Sequence, residues 1–289
     1  MVSRRNLLIG AASISAAGLA GCYQSDSNTG GPSGDGAEPR ATDWVPASQS
    51  LPVLIRGTKA SNIVDVEGSG IGSEETVFEV PPSDIDLLTT VQTGSPIQYT
   101  TIDGSFEVED VRDPVTSTLR GSFSEEESYN GYTRLSSSGA TVGISSGRLA
   151  FVQPPDAATL EAILDTREGE GESLSAGNDT VGQLSDTIGE GDITDIRAFP
   201  RSTTADNETE GDTRDRIGEA YAIDVQSEMS PFVFCYLYRN AEVTDADELR
   251  DRIDSGFSDT ENSPEYDVTT DDTMVTATGE LPTSTLPTN

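Results

Sequence analysis

The sequence contains no histidine, and that single absence removes most of the common hydrolytic chemistries. Without an imidazole there is no Ser-His-Asp or Cys-His nucleophile, no His-ligated zinc and no histidine general base. Basic residues are scarce too: 17 Lys+Arg stand against 51 Asp+Glu, a formal charge of -34 over 289 residues. A phosphate-binding surface needs clustered cations to release counterions, so nucleic acid is excluded as a partner. Lysine is nearly missing, since Lys59 is the only one and the other bases are arginine. Leu, Ile, Val and Phe make up 61 of the 289 residues, close to the roughly 20% below which chains stay disordered. Their distribution decides for folding: they sit in short runs such as 97-IQYTTI-102 and 232-FVFCYLY-238, separated by Gly, Ser and acid as strands and turns require.

The first 21 residues read as a targeting segment. Arg4 and Arg5 resemble a twin-arginine export signal, and the apolar stretch 7-LLIGAASISAAGLA-20 is of signal-peptide length, short of the ~20 residues that a spanning helix needs. Leu19-Ala20-Gly21-Cys22 then resembles a lipobox, in which the chain is cut before the cysteine and the sulfur takes a diacylglyceryl-type lipid. Cys22 is therefore expected to be the membrane anchor. Removing residues 1–21 leaves 268 residues with a charge of -36. Acids run along this whole mature chain, and carboxylate excess with almost no lysine resembles the proteins of extremely halophilic archaea, which fold in brine where charges are screened over a few Å. Cys235, inside Phe234-Cys235-Tyr236, has no partner once Cys22 is lipidated, and its apolar setting favours an inert buried thiol.

Composition divides the rest. Residues 22–44 are Gly-, Ser- and Asp-rich and read as a flexible tether. A first α+β repeat is expected over 45–166, an acidic, loop-rich connection over 167–216, and a second, shorter repeat over 217–289. The connection carries two Asn-x-Thr sequons, at Asn178 and Asn207, which are candidate N-glycosylation acceptors in an exported chain. The repeat rests on 95-SPIQYTTIDGSFEVEDVRDPV-115 aligning with 230-SPFVFCYLYRNAEVTDADELRDRI-253, then Tyr132 with Tyr266, Thr141-Val142 with Met274-Val275, and Gly147-Arg148-Leu149 with Gly279-Glu280-Leu281. The second copy predicts a helix in 244-TDADELRDRIDSGF-257, capped by Thr244 and bearing Ala246, Leu249, Ile253 and Phe257 on one face. In the first copy, 140-ATVGI-144 and 148-RLAFVQ-153 predict a hairpin, and Pro154-Pro155-Asp156 opens a helix with Leu160, Ile163 and Leu164. The βαββα order predicts an α+β fold with an antiparallel-rich sheet and helices on one face.

With Gly104-Ser105-Phe106 before the first helix and Tyr129-Asn130-Gly131-Tyr132 after it, the pattern resembles the duplicated ferredoxin-like α+β ectodomains of uncharacterised haloarchaeal lipoproteins. The resemblance covers residues 45–165 well and the second half loosely. It implies a fold, and no functional residue comes with it.

Two patterns match catalytic or metal motifs by letter. Gly143-Ile144-Ser145-Ser146-Gly147 is G-x-S-x-G, but a nucleophile elbow needs a following helix and a histidine, so a hairpin turn is expected instead. Asp206-Asn207-Glu208-Thr209-Glu210-Gly211 opens like a calcium loop, yet Ile217 stands where the bidentate acid belongs. Glu125-Glu126-Glu127 and Asp271-Asp272 read as surface charge. No catalytic residue, metal or cofactor follows. The expectation is a non-catalytic, lipid-anchored protein on the outer face of a halophile's membrane, with an envelope protein as a candidate partner. Two alternatives stay open: a solute-binding lipoprotein, marked by a pocket between the repeats, and a histidine-free carboxylate-dependent hydrolase, marked by a buried carboxylate pair in a cleft.

Overall fold

A computed structural model describes residues 39–64, 78–118, 122–125, 127–200, 215–257 and 264–286. The strands are β1 (Val53–Thr58), β2 (Ile85–Thr93), β3 (Gln98–Gly104), β4 (Ser124–Glu125), β5 (Thr133–Ser136), β6 (Thr141–Ser145), β7 (Arg148–Gln153), β8 (Ile193–Ala198), β9 (Arg216–Ile223), β10 (Met229–Tyr238), β11 (Glu265–Asp271) and β12 (Met274–Pro282). The helices are α1 (Ala60–Ile63), α2 (Val108–Thr118), α3 (Ala157–Arg167), α4 (Leu174–Gly177), α5 (Asp179–Ile188) and α6 (Ala246–Phe257). All twelve strands join one antiparallel sheet in the order β11-β12-β10-β9-β8-β1-β2-β3-β7-β6-β5-β4. Read outward from the central β1–β8 pair, the two sides match for five strands: β1-β2-β3-β7-β6 and β8-β9-β10-β12-β11, with α2 following β3 and α6 following β10.

The α+β class with a large antiparallel sheet is as expected. The finer expectation of two ferredoxin-like βαββα units differs from what is found, because each side is three strands, a helix and a hairpin within one shared sheet. The register also revises the alignment of the two halves. β7 lies beside β3 as β12 lies beside β10, so Met274-Val275 of β12 corresponds to β7 and not to Thr141-Val142, which sits one strand further out in β6.

Helices cover both faces, not one. On the first face, Leu160, Ile163 and Leu164 of α3 and Val181, Leu184 and Ile188 of α5 pack with Val53, Ile55, Val91, Tyr99 and Val152. On the second, α2 buries Val111 and Val115 with Ile102, Leu149 and Phe151, while α6 buries Leu249 and Ile253 on Phe232, Phe234 and Tyr236. Covering both faces explains the unbroken apolar run in β10: Phe232, Phe234, Tyr236 and Tyr238 point to α6, and Cys235 and Leu237 to the opposite face. Gly218 of β9 lets α5 approach, since a Cβ there would stand 2.6 Å from Leu184 Cδ1.

Three boundaries move. The span 167–216, expected to be loop-rich, contains α4, α5 and β8, because Leu174, Val181, Leu184 and Ile188 form a buried stripe. The tether expected over 22–44 ends earlier: Ala41–Trp44 forms a 3-10 turn and Trp44 is completely buried. The start of α6 is capped by Asp245, whose carboxylate accepts from the Asp247 and Glu248 amides, whereas Thr244 donates to the Asn240 and Asp272 carbonyls.

Candidate functional site

The central strands carry a charged ladder on the face shared by α2 and α6. Asp195 of β8 is buried, and its carboxylate accepts from Arg56 Nε of β1 at 2.8 Å and from Arg197 Nε at 2.9 Å. Arg197 continues to Glu219 of β9 at 3.1 Å, Glu219 to Arg216 at 3.4 Å, and Arg216 to Glu248 of α6 at 2.9 Å. Three arginines thus meet three carboxylates. Burial works against the Arg197 charge, but Asp195 and Glu219 outweigh it and hold the guanidinium pKa above its ordinary value. The Arg216 guanidinium also lies 4.1 Å from the Tyr236 ring centre, a cation-π contact. The alternation that places Asp195, Arg197 and Glu219 on one face puts Ile196 and Ala220 in the core of the other.

A second network closes the end of β3 on the opposite face. Asp103 is buried and accepts from Trp44 Nε1 at 2.5 Å and from Arg167 of α3 at 2.8 Å. Arg148 pairs with Glu168 at 2.6 Å, and Tyr132 donates to the same carboxylate at 2.7 Å. Burial, then Glu168, drives the Tyr132 hydroxyl pKa well above normal. Nearby, Tyr129-Asn130-Gly131-Tyr132 is a two-residue turn with positive φ at Asn130 and Gly131, the backbone form that Asn-Gly favours. Its Tyr129 hydroxyl and Asn130 amide both donate to Asp165, locking the turn on the end of α3. Sequence reasoning missed Trp44, Asp103 and the Arg56–Glu219 ladder. The signals were a lone Trp in polar text and charges alternating with apolar residues inside strands.

The residues singled out from sequence are not brought together. Arg4, Arg5, Cys22 and Asn207 with its calcium-like loop lie outside the described residues. Asn178 is the N-cap of α5, its side-chain oxygen accepting from the Thr180 and Val181 amides. Ser146-Gly147 is the two-residue turn of the β6–β7 hairpin, so the G-x-S-x-G letters fall on a hairpin as expected. Glu125 pairs with Arg112, and Cys235 is completely buried, its thiol pushed up to about 12 chiefly by desolvation.

A cleft floored by Leu87, Ile188 and Ile196 offers about 30 Å³, room for a water molecule or two. At its rim Glu190 accepts from Arg40 Nε at 3.2 Å and lies 3.8 Å from Lys59 Nζ. Among the described residues no group of three or more His, Cys, Asp or Glu is placed to hold a metal ion. No described helix is long and apolar enough to cross a membrane.

No protein-family model matches the sequence, and no curated protein matches it. Solved structures do match in fold. TP0453, a treponemal lipoprotein, in its crystal form III superposes with a TM-score of 0.52 at 8% identity, over 86% of this chain and 96% of that one. Its crystal forms IV and I superpose with TM-scores of 0.49 and 0.44, at 9% and 10% identity. At such identity the likeness establishes a shared α+β fold.

Proposed function

We propose that the chain is a non-catalytic lipoprotein, exported by the twin-arginine route and held on the outer face of a halophile's membrane by lipidated Cys22. The observation that carries this reading is the order Arg4-Arg5, a 14-residue apolar run, then Leu19-Ala20-Gly21-Cys22, followed by a polar tether and a folded domain. The matching strand orders on either side of β1–β8 fit a duplicated unit within that domain.

The domain's geometry supports the non-catalytic part against the two alternatives. Against a solute-binding pocket, β1 and β8 pair directly through six residues, Val53↔Ala198 to Thr58↔Ile193, and the cleft beside them, floored by Leu87, Ile188 and Ile196, offers about 30 Å³, room for a water molecule or two and no larger solute. A carboxylate pair for hydrolysis needs acids free to give and take protons, yet Asp195 and Glu219 are bridged by Arg197, and Asp103 is held by Trp44 and Arg167. The remaining surface is acidic and exposes one large apolar side chain among the described residues, Met229. Such a surface suits brine and a soluble, displayed domain.

Fractionation of cells expressing Cys22→Ser tests the reading. The variant is expected to leave the membrane fraction or to remain unprocessed, and Arg4→Lys with Arg5→Lys to trap the precursor inside the cell. A Cys22→Ser protein that stays membrane-bound and mature would overturn it.

A further inference from the structure

We infer that the β11 end of the sheet is a salt-gated edge, which pairs in concentrated salt and peels away first when salt falls. β11 is the terminal strand, exposed along its length, with Tyr266 and Val268 alone partly packed on the α6 side. Its register sets Glu265 directly opposite Glu280 of β12. Asp267 and Asp271 follow at alternate positions, so four carboxylates share one face of a two-strand ribbon. Among the described residues none of the four has an ion-pair partner. Facing side chains in such a ribbon stand about 5 Å apart, and like charges there oppose pairing. On the other face α6 exposes Asp247, Asp251 and Asp254; Asp247 is paired with Arg250, and Asp254 accepts from the Tyr266 hydroxyl of β11 at 2.6 Å, the one side-chain hydrogen bond among the described residues that holds the strand to the helix.

Screening decides whether this repulsion is felt. The Debye length is about 10 Å at 0.1 M, which spans the Glu265–Glu280 separation, and about 3 Å at 1 M, which does not. The centre of the sheet responds in the opposite sense. Arg56, Asp195, Arg197 and Glu219 are opposite charges in contact and largely buried, so lowering salt strengthens them slightly. Falling salt therefore loosens the edge while leaving the β1–β8 centre intact, and opening is polarised. Peeling β11 uncovers the hydrogen-bonding edge of β12 and the apolar row Val275 and Ala277, an adhesive surface that exists only outside brine.

Hydrogen exchange of the full chain in detergent, read strand by strand while salt is stepped from about 3 M to about 0.1 M, tests the inference. The β11 amides are expected to lose protection by at least about tenfold at a salt concentration where β1 and β8 amides are unchanged. Glu280→Gln should shift that point to lower salt, whereas Asp186→Asn, which removes an equal charge from the exposed side of α5, should not. Simultaneous loss of protection in β11, β1 and β8, or an equal shift from both substitutions, would overturn it.

Discussion

Replacing Asp195 by alanine puts the junction ladder to the test, because this one carboxylate ties β1 to β8 from the buried side. It accepts from Arg56 at 2.8 Å and from Arg197 at 2.9 Å, and is 2% exposed. Its loss leaves Arg56 without its carboxylate and Arg197 with Glu219 alone, the two guanidinium groups each being 23% exposed. Removing one partner of a fully buried ion pair costs about 3–5 kcal/mol, and the partial exposure of the arginines places this case near the lower end, at about 3 kcal/mol. Against a total stability of ~5–15 kcal/mol that is a large fraction. Urea unfolding is the assay, since guanidinium would itself screen the charges, and it should be run at about 0.5 M and about 3 M salt. The loss should be nearly the same at both. Arg56→Met, Asp195→Leu and Arg197→Met combined should recover most of the stability, as apolar replacements of buried ion pairs commonly do. A loss below about 1 kcal/mol, or one that disappears in high salt, would mean that the ladder behaves as an ordinary surface pair and does not bind the halves together.

Alkaline pH gives an independent check of the aromatic core. Burial foremost pushes the Tyr236 and Tyr266 hydroxyls up to about 12, the second reinforced by its hydrogen bond to Asp254. The folded state keeps these protons while the unfolded chain releases them near 10, so their stabilisation is complete below about pH 10 and is lost between 10 and 12. Tyrosinate absorbance should rise together with loss of near-UV circular dichroism; ionisation near pH 10 with the dichroism intact would contradict the burial. The Cys235 thiol should be inert to thiol reagents in the native protein and react only on unfolding, and fast native labelling would show that the β9–β10 core is not closed. Asn178→Ala should lower stability by about 1 kcal/mol through loss of the α5 cap while Asn178→Asp is tolerated, with thermal melting as the readout; equal melting of all three would remove the capping role.

Local signals in the sequence were strong where one residue pattern decided the structure. Pro154-Pro155-Asp156 forecast a helix start, and Asp156 does cap α3 by accepting from Thr159. The β6–β7 hairpin and α6 followed from alternation and helical spacing in the same way. Symmetry was visible only in part, because the match between 95–115 and 230–253 captures β3 with β10, but beyond it the letters set both Thr141-Val142 of β6 and Gly147-Arg148-Leu149 at the start of β7 against the single strand β12. Which strand returns beside β3 is a long-range pairing that no short pattern encodes. Helix α5 was hidden because Gly182 and scattered acids break up the stripe Val181, Leu184 and Ile188, and tertiary burial overrides the weak propensity. The ladder was illegible for a related reason. Arg56, Asp195 and Glu219 are far apart in sequence, and only the register of three strands sets them side by side.

The mass of the N-terminal peptide released from the mature protein, isolated from membranes, tests the central claim most directly. The account predicts that the mature chain begins at Cys22 and that this residue carries a diacylglyceryl-type lipid, with none of Met1–Gly21 retained. A chain that keeps Arg4 and Arg5, or one whose Cys22 is unmodified in the membrane fraction, would contradict it.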